Sequence, residues 1–584
     1  MPALHNFHHL PCTSCARNLL YIKSSVTHNN QTDLSDMESH SFPSTNDITN
    51  TETIQMRNLF AQEALAQIPK ILTLLDRNLH SPTYGCFDRN FWHYKIIDFP
   101  SGMAQEFVLP LALAYSLEIP NNPYYLQEMM YKWAEAGILY AAHASHSDGS
   151  CDDYFPFERA SGATVFSLLA SIESYQILEL NNYEILSFFE KRANWLIHHY
   201  ESGKLANHEA LIVLCLELLN RLLETSKWDT AKAARLERLL SWQSQEGWFT
   251  EYSGFDPGYH TLTISCLARI YELNPSEKLK YIITKAVELA AQFIHPDGSF
   301  AGEYGSRNTY NFFPHGFELV GKWLPTTLSI NDQFLIGLKN GLAPCYAEDH
   351  IIGHHTWNYL LAWRDFVTER PTPISRDVAS LWLKEAQILI KRRPGTELYV
   401  SLNKGGVFKL FRDQKLVASD THLSLQVRKG QKILNAVSHL SSDYEVKIFQ
   451  DEIVISSNMG WAKQTQMSPL KLIILRLVML TFGRFFPNLI RKILQKILIT
   501  DKQDAPFSFK RHFKYEDESW YITDEIFAKS WLNVISAGIG CDQTSIYVVM
   551  SRTFQIGQLQ PWHDLTTKIK QLSPGEPLRI ERKF

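Results

Sequence analysis

Between about residues 56 and 385, apolar side chains recur at three- and four-residue intervals, the spacing that gives a helix one buried face. In 184–199 (EILSFFEKRANWLIHH), Ile185, Phe188, Phe189, Ala193 and Leu196 form such a face. The next unit, 207–224, places Asn207 in a helix-capping position before the apolar run Ala210 to Leu223. Helical spacing extends through ASLWLKEAQILI (379–390), after which the period changes to two. Alternating segments flank Gly405-Gly406 within 397–437, YEVKIFQDEIVISS (444–457) reads as a hairpin turning near Gln450-Asp451, and Ser519 to Thr523 and Thr544 to Met550 read as further strands.

The helical part is punctuated by related turns. EGWFTEYSGFDPGYH (246–260) combines a turn, acidic and aromatic groups and a helix start, and related stretches occur at Tyr84, Asp148, His199, Pro296 and Cys345. The steps run at about fifty residues, the length of one helical hairpin with its loops. Such hairpins bury their faces against neighbours, in an open spiral or a closed ring. The expected fold is α+β and multidomain: an (α/α) toroid of about six helical hairpins followed by an antiparallel β-sandwich domain. The expected boundaries are a polar tail over 1–55, the toroid over 56–392, and the sheet domain over 393–584 with an inserted segment at 467–500.

Equivalent positions of successive units fall on one rim. Arg159, Asn207, Tyr259 and Tyr310 are separated by 48, 52 and 51 residues, each at or just before a helical run. Helix N-termini carry partial positive charge, so a crevice for an anionic ligand is expected there. Arg89 and Trp92 in YGCFDRNFWHYK, together with Arg159, Trp248 and Tyr304, are candidates for holding a sugar by stacking and hydrogen bonding. Each aromatic residue could equally belong to the core.

Composition narrows the partners. The 584 residues carry 57 Lys+Arg against 61 Asp+Glu, a net charge of −4, which gives no general attraction to nucleic acid. The 8 cysteines are too dispersed for a disulfide scaffold. Cys12 and Cys15, near His5, His8 and His9, could supply half a zinc site, but no second ligand pair follows at finger spacing, and no metal or cofactor is expected. The Ser-, Thr- and Asn-rich tail cannot bury enough surface to fold alone. Its longest early apolar run, Leu19 to Ile22, is too short for a signal-peptide core, so Sec export is not expected.

The insertion MSPLKLIILRLVMLTFGRFFPNLIRKILQKILIT (467–500) contains no carboxylate. Pairs such as Leu489/Ile490 and Ile493/Leu494 alternate with Arg491, Lys492 and Lys496, the pattern of a basic amphipathic helix. The run Leu470 to Phe482 is too short to span a bilayer, so the expectation is either a helix lying in a membrane interface or one packed on protein.

Helical hairpins followed by an antiparallel sheet domain, with Asn207-His208 at one helix start and Gly258-Tyr259-His260 in the next unit, resemble the heparinase II/III-like polysaccharide lyases over about residues 80–460 and the last strands. The resemblance implies β-elimination on a uronic-acid polymer, with Asn207 and His208 contacting the uronate carboxylate and Tyr259 transferring the proton. The family's Arg-Ser before the tyrosine is replaced here by Asp256-Pro257-Gly258. A second-domain histidine used by some members corresponds to no single residue; His422, His354 and His355 are candidates.

Removing the proton beside a carboxylate requires that its charge be neutralised, a task suited to Asn207, His208 and Arg307. A tyrosine of ordinary pKa about 10 needs nearby positive charge to act as base, and Arg307 or His260 could supply it. Tyr304 and Tyr310 are alternative proton donors. Three other readings stay open: a glycoside hydrolase using two of Asp152, Asp153, Asp256 and Glu303, a uronyl C5-epimerase, and a catalytically silent glycan-binding protein at a membrane.

Overall fold

The computed structural model describes residues 45–201, 203–251, 254–346, 351–373, 376–462, 468–495, 503–540, 551–555, 558–559 and 562–584. The Cys12/Cys15 pair, the polar tail before residue 45, the strand expected at Thr544 to Met550 and the end of the insertion with Lys496 lie outside these residues.

Thirteen α-helices precede the five-stranded sheet among the described residues: α1 (Thr45–Leu65), α2 (Ile68–Leu74), α3 (Val108–Ser116), α4 (Glu128–Ala144), α5 (Ser161–Ile177), α6 (Tyr183–His198), α7 (Ala206–Leu222), α8 (Asp229–Leu240), α9 (Pro257–Leu273), α10 (Glu277–Ala290), α11 (His315–Gly321), α12 (Leu328–Lys339) and α13 (Ile352–Arg364). They fall into two kinds. Helices α5, α7, α9 and α13 are buried nearly all round, whereas α6, α8 and α10 bury one stripe. A helix apolar on every side belongs inside and an amphipathic one outside. The contacts follow: α3 packs on α5, α5 on α7, α7 on α9, α9 on α11, α11 on α13 and α13 back on α3. The inner helices close into a ring, and α4, α6, α8, α10 and α12 pack outside it on α3, α5, α7, α9 and α11.

Two devices close and space the ring. Glu106, fully buried just before α3, accepts hydrogen bonds from His354 Nδ1 (2.5 Å) and Trp357 Nε1 (2.5 Å) of α13, which joins the first hairpin to the last. The recurring turn glycines set the spacing: Gly149, Gly247 and Gly298 have φ of 87°, 99° and 86°. A Cβ on them would meet the backbone of the following outer helix, at Arg192 of α6, Lys285 of α10 and Gly337 of α12, within 2.7 Å. The fifty-residue repeat is therefore a repeat of close backbone contact as well as of hydrophobic period.

Beyond the ring the described chain is chiefly antiparallel sheet. Within the helical part, between α12 and α13, a two-residue strand β1 (Cys345–Tyr346) pairs with the later β14 (Ser551–Arg552). Strands β2 (Ala379–Leu383), β3 (Ile388–Arg393), β4 (Thr396–Ser401), β5 (Val407–Arg412) and β6 (Lys415–Asp420) form a five-stranded meander. A nine-stranded sheet contains β7 (His422–Lys429), β8 (Lys432–Val437), β9 (Glu445–Ile448), β10 (Glu452–Ala462), β11 (Asp504–Glu516), β12 (Ser519–Ala528), β13 (Val534–Gly540), β15 (Trp562–Asp564) and β16 (Leu578–Lys583), in the order β15-β13-β7-β8-β10-β11-β12-β16 with β9 also on β10. Between β10 and β11 stand α14 (Pro469–Leu480) and α15 (Pro487–Gln495), and α16 (Thr566–Ile569) follows β15.

The helical reading of 379–390 is incorrect. Residues 379–383 and 388–393 pair as a β-hairpin, with Gln387 at φ 55° in the turn. Its apolar residues fit both periods over so short a stretch, and pairing with β4 decides for the strand. Alternation then assigns the faces. Ile388, Ile390, Tyr399 and Phe411 pack into the core of the helical ring, while Leu389, Leu398, Val400 and Leu410 meet Ile453, Ile455, Phe513 and Ile522 of the large sheet. The layers are ring, small sheet and large sheet, an α+β architecture.

Within the sandwich an inward position of β11 is filled by Arg511, fully buried and bonded to Asp524 (2.6 Å) on β12, Asp420 (3.0 Å) and the Gly406 carbonyl (2.9 Å). Arg582 reaches the same two aspartates at 2.7 Å. Breaking a buried charge network from one side leaves unpaired charge behind. Arg511→Met is expected to cost about 3–5 kcal/mol in urea unfolding, while Lys510→Met, exposed on the same strand, changes stability by less than about 0.5 kcal/mol.

Candidate functional site

The centre of the candidate site is the start of α9. Asp256 is its N-cap and, fully buried, accepts from the Tyr259 backbone N–H (3.0 Å), the Arg307 backbone N–H (3.0 Å) and the Thr309 hydroxyl (2.5 Å). One carboxylate thus anchors the helix that carries Tyr259 and the loop that carries Arg307. Pro257 occupies the first turn, where its missing N–H is not needed. Gly258 permits the close approach, since a Cβ there would stand 2.3 Å from Thr309 Oγ1. The Asp256-Pro257-Gly258 sequence is what brings the two loops together here.

Arg307 lies with its guanidinium carbon 4.0 Å from the centre of the Tyr259 ring, and its Nη1 is 3.5 Å from Glu251 Oε2. Glu251 is fully buried, and its Oε1 accepts from both the backbone N–H (3.1 Å) and the side-chain amide (2.8 Å) of Asn207. Burial pushes the Glu251 carboxyl up, opposed by Arg307 and Asn207. Asn207, Glu251, Arg307 and Tyr259 therefore form one connected cluster contributed by three successive units. Asn207 is not a helix cap: it lies inside α7, whose N-cap position is Leu205, and its amide serves Glu251 instead. Its Oδ1 is buried and has no partner among the described residues. Glu251 was missed by sequence reasoning. The available signal was its position in the loop before α9, where it bridges in strand fashion to Leu205, just ahead of Asn207.

His208 sits beside this cluster on α7, its Nδ1 2.8 Å from Glu201 Oε2. Burial would push the Glu201 carboxyl up, but His208 and then Arg491 hold it down at about 2, so Glu201 is ionised and Nδ1 carries the proton of that bond. Arg307 and His208, with side chains 11% and 17% exposed, give the cluster its access to solvent; Asn207 and Glu251 have none.

Other predicted residues are placed elsewhere. His260 is turned away, its Nε2 bonded to the Ala286 carbonyl of α10 (3.0 Å), and burial pushes it down to about 4. It is neutral and supplies no charge to Tyr259, so that expectation fails; of the two candidates, Arg307 is the one against the ring. Tyr310 is buried in a separate cluster, donating to Glu303 Oε1 (2.6 Å) beneath the Lys409 ammonium (3.9 Å from the ring) and accepting from Gln558 (3.3 Å). Burial and Glu303 push its phenol well above the ordinary value. Tyr304 bonds His295 (2.8 Å) and stacks on Tyr399 in the core. Trp248 is nearly buried, its Nε1 bonded to Glu246 (3.0 Å). His354 belongs to the ring closure, His355 is buried between Phe313 and Tyr346, and His422 lies edge-on to His439 on β7.

Arg89 lies over Tyr94 (5.2 Å) and lines a cavity of about 550 Å³ with Asp88, Asn90, Asp153 and Tyr154. Trp92 is anchored through Nε1 to the Leu74 carbonyl (2.7 Å). A second cavity, about 330 Å³, adjoins it at Phe99 and Ser101. Neither is lined by Asn207, Tyr259 or Arg307, so these two cavities lie apart from that cluster. Between them stands Glu158, next to Arg159, which itself pairs with Asp148. Arg491 of α15 reaches both Glu158 (3.4 Å) and Glu201 (3.5 Å), spanning the rim from the cavities to His208.

Burial pushes the Glu158 carboxyl up to about 7, against the pull of Arg491. The folded chain therefore holds a proton that the unfolded chain releases near pH 4.3, and stability from this group falls as pH rises from about 4.5 to 7. Glu158→Gln is expected to flatten that decline by about 3 kcal/mol in denaturation series across this window. An unchanged pH profile would count against the assignment.

No family model matches this chain, and no curated protein matches it. Among solved structures it is similar to a xanthan lyase from Paenibacillus (10% identity, TM-score 0.45), covering 86% of this chain and 47% of that one. It is also similar to the Streptomyces coelicolor A3 chondroitin AC lyase in complex with chondroitin sulphate (9% identity, TM-score 0.47; 86% of this chain, 73% of that one). An unsaturated glucuronyl hydrolase from Streptococcus agalactiae is a further match (10% identity, TM-score 0.34; 55% of this chain, 91% of that one). The chain spans about half the length of the xanthan lyase. These likenesses are too distant to carry an argument about activity, which rests on the side chains.

Proposed function

We propose that this chain is a polysaccharide lyase-like enzyme that cleaves a uronic-acid-containing polymer by β-elimination, in the manner of the heparinase II/III-like proteins. The observation that carries the proposal is the Arg307 guanidinium set between the Tyr259 ring and Glu251, with Asn207 on the far side of that carboxylate. The uronate carboxylate would dock at Arg307 and at His208 beside the cluster, whose side chains are the more solvent-accessible. The Arg307 charge and a hydrogen bond from His208 would stabilise the dianion that forms when the neighbouring proton leaves, with Asn207 and Glu251 holding Arg307 from behind.

Tyr259 then has two tasks. As phenolate it takes the C5 proton, the C5–H electron pair becomes the C4–C5 double bond, and the C4–O bond breaks. The proton then passes to the departing oxygen, which returns the phenolate, so no oxidant or reductant is needed. The Arg307 guanidinium against the ring would act in favour of the phenolate that the first step requires, against the burial of the ring. Sugar units beyond the reacting one would extend along the rim cavities near Arg89 and Arg159.

The hydrolase reading is less well supported, because its carboxylates are committed to structure. Asp256 caps α9, Asp152 accepts from His146 and two backbone N–H groups, Asp153 accepts from Ser101, and Glu303 holds Tyr310.

The test is incubation with a panel of uronate polymers while near-ultraviolet absorbance is followed. A lyase leaves a C4–C5 double bond conjugated to the carboxylate and absorbs; a hydrolase yields reducing ends without it; an epimerase exchanges the C5 hydrogen and cuts nothing. Tyr259→Phe is expected to lower kcat by roughly 10²–10⁴-fold with the fold intact. Arg307→Ala should lower kcat as strongly and weaken binding as well. Retained turnover in Tyr259→Phe, with loss in Glu303→Gln, would move the assignment to the hydrolase.

A further inference from the structure

The insertion between β10 and β11 has two unlike faces. On its inner side Arg476 pairs with Asp98 (3.0 Å) and lies over Phe99 (5.3 Å), Met479 is fully buried, and Leu480 lines the 330 Å³ cavity. Further along, Ile490 is buried and Arg491 spans Glu158 and Glu201. These contacts lay the α14–α15 strap across the rim that carries the cavities and His208. On its outer side, Leu470, Ile473, Ile474 and Leu477 occupy one stripe of α14 and are 67%, 56%, 52% and 58% exposed, and Phe485 and Phe486 follow in the connecting turn. Residues of this kind at helical spacing are ordinarily buried, and here a whole stripe faces outward.

The strap's charge says what would cover it. No acidic residue occurs anywhere in residues 468–495, whereas Lys471, Arg484 and Lys492 accompany the outward residues. Among the described residues no helix is long and apolar enough to cross a membrane. A short helix with an apolar stripe and basic flanks, lacking carboxylates, is complementary to a surface that is apolar below and anionic above.

We propose that the outer face of the α14–α15 strap docks on an anionic lipid surface, and that the strap's inner contacts thereby hold the rim cleft beside that surface. The consequence for function is positional: glycan tethered to or emerging from such a surface reaches the rim without diffusing through bulk solvent. This goes beyond the β-elimination reading and does not depend on it.

The probe is flotation of the full chain with phosphatidylcholine vesicles, with and without phosphatidylglycerol. Binding is expected to the anionic vesicles, to weaken with added salt, and to fall about tenfold in Ile473→Ser/Leu477→Ser. Both substituted positions are exposed, so thermal melting should be unchanged, and hydrogen exchange on anionic vesicles should slow in 469–490. No flotation, equal flotation on neutral vesicles, or undiminished flotation of the double variant would overturn the proposal. So would concentration-dependent self-association abolished by the same double variant without vesicle binding, which would assign the face to a second copy.

Discussion

The candidate site depends on one buried carboxylate. Asp256 has two oxygens and uses them on three donors that belong to two different units of the ring: the Tyr259 N–H on one side, and the Arg307 N–H and Thr309 hydroxyl on the other. Remove that carboxylate and the start of α9 loses its cap, while the 305–309 loop loses its anchor. The distance between the Arg307 guanidinium and the Tyr259 ring is thus constrained by a fully buried group bonded to both backbones. That is preorganisation achieved through backbone hydrogen bonds, which are less free to drift than contacts between long side chains.

The ring supplies the second constraint. Inner helices that are apolar all round can only be satisfied by neighbours on every side, and closure through Glu106, His354 and Trp357 gives α3 and α13 those neighbours. Their N-terminal loops then converge, so that residues fifty apart in sequence share one rim. Asn207, Glu251 and Arg307 meet for this reason, although each comes from a different hairpin.

Much of this architecture is legible in the sequence. The fifty-residue period, the ring of hairpins and the later change to alternation follow from hydrophobic spacing and turn residues, because those patterns report burial directly. The hairpin at 379–393 is not, since five residues satisfy a helical and a strand period equally well and only pairing with β4 separates them. Nor is Glu251, whose importance lies in what it holds rather than in a motif. Asn207 illustrates the same limit. An Asn before an apolar run has the sequence signature of a cap, yet its position inside α7 hands that amide to Glu251.

Tyr259 and Tyr310 show how equivalence along a repeat ends. Both stand at the rim position of their units, one step apart, and a sequence alone gives no reason to prefer either. The second domain makes the difference. Lys409 from the small sheet, with Arg552 and Gln558 from the last part of the chain, surrounds Tyr310 and Glu303. That burial favours the neutral phenol and engages its proton with Glu303. Tyr259, one unit earlier, has the Arg307 guanidinium against its ring face. The same residue type at the same repeat position is therefore locked as a structural donor in one unit and left beside a cation in the other. At this rim the sheet domain thus distinguishes two tyrosines that the repeat makes equivalent.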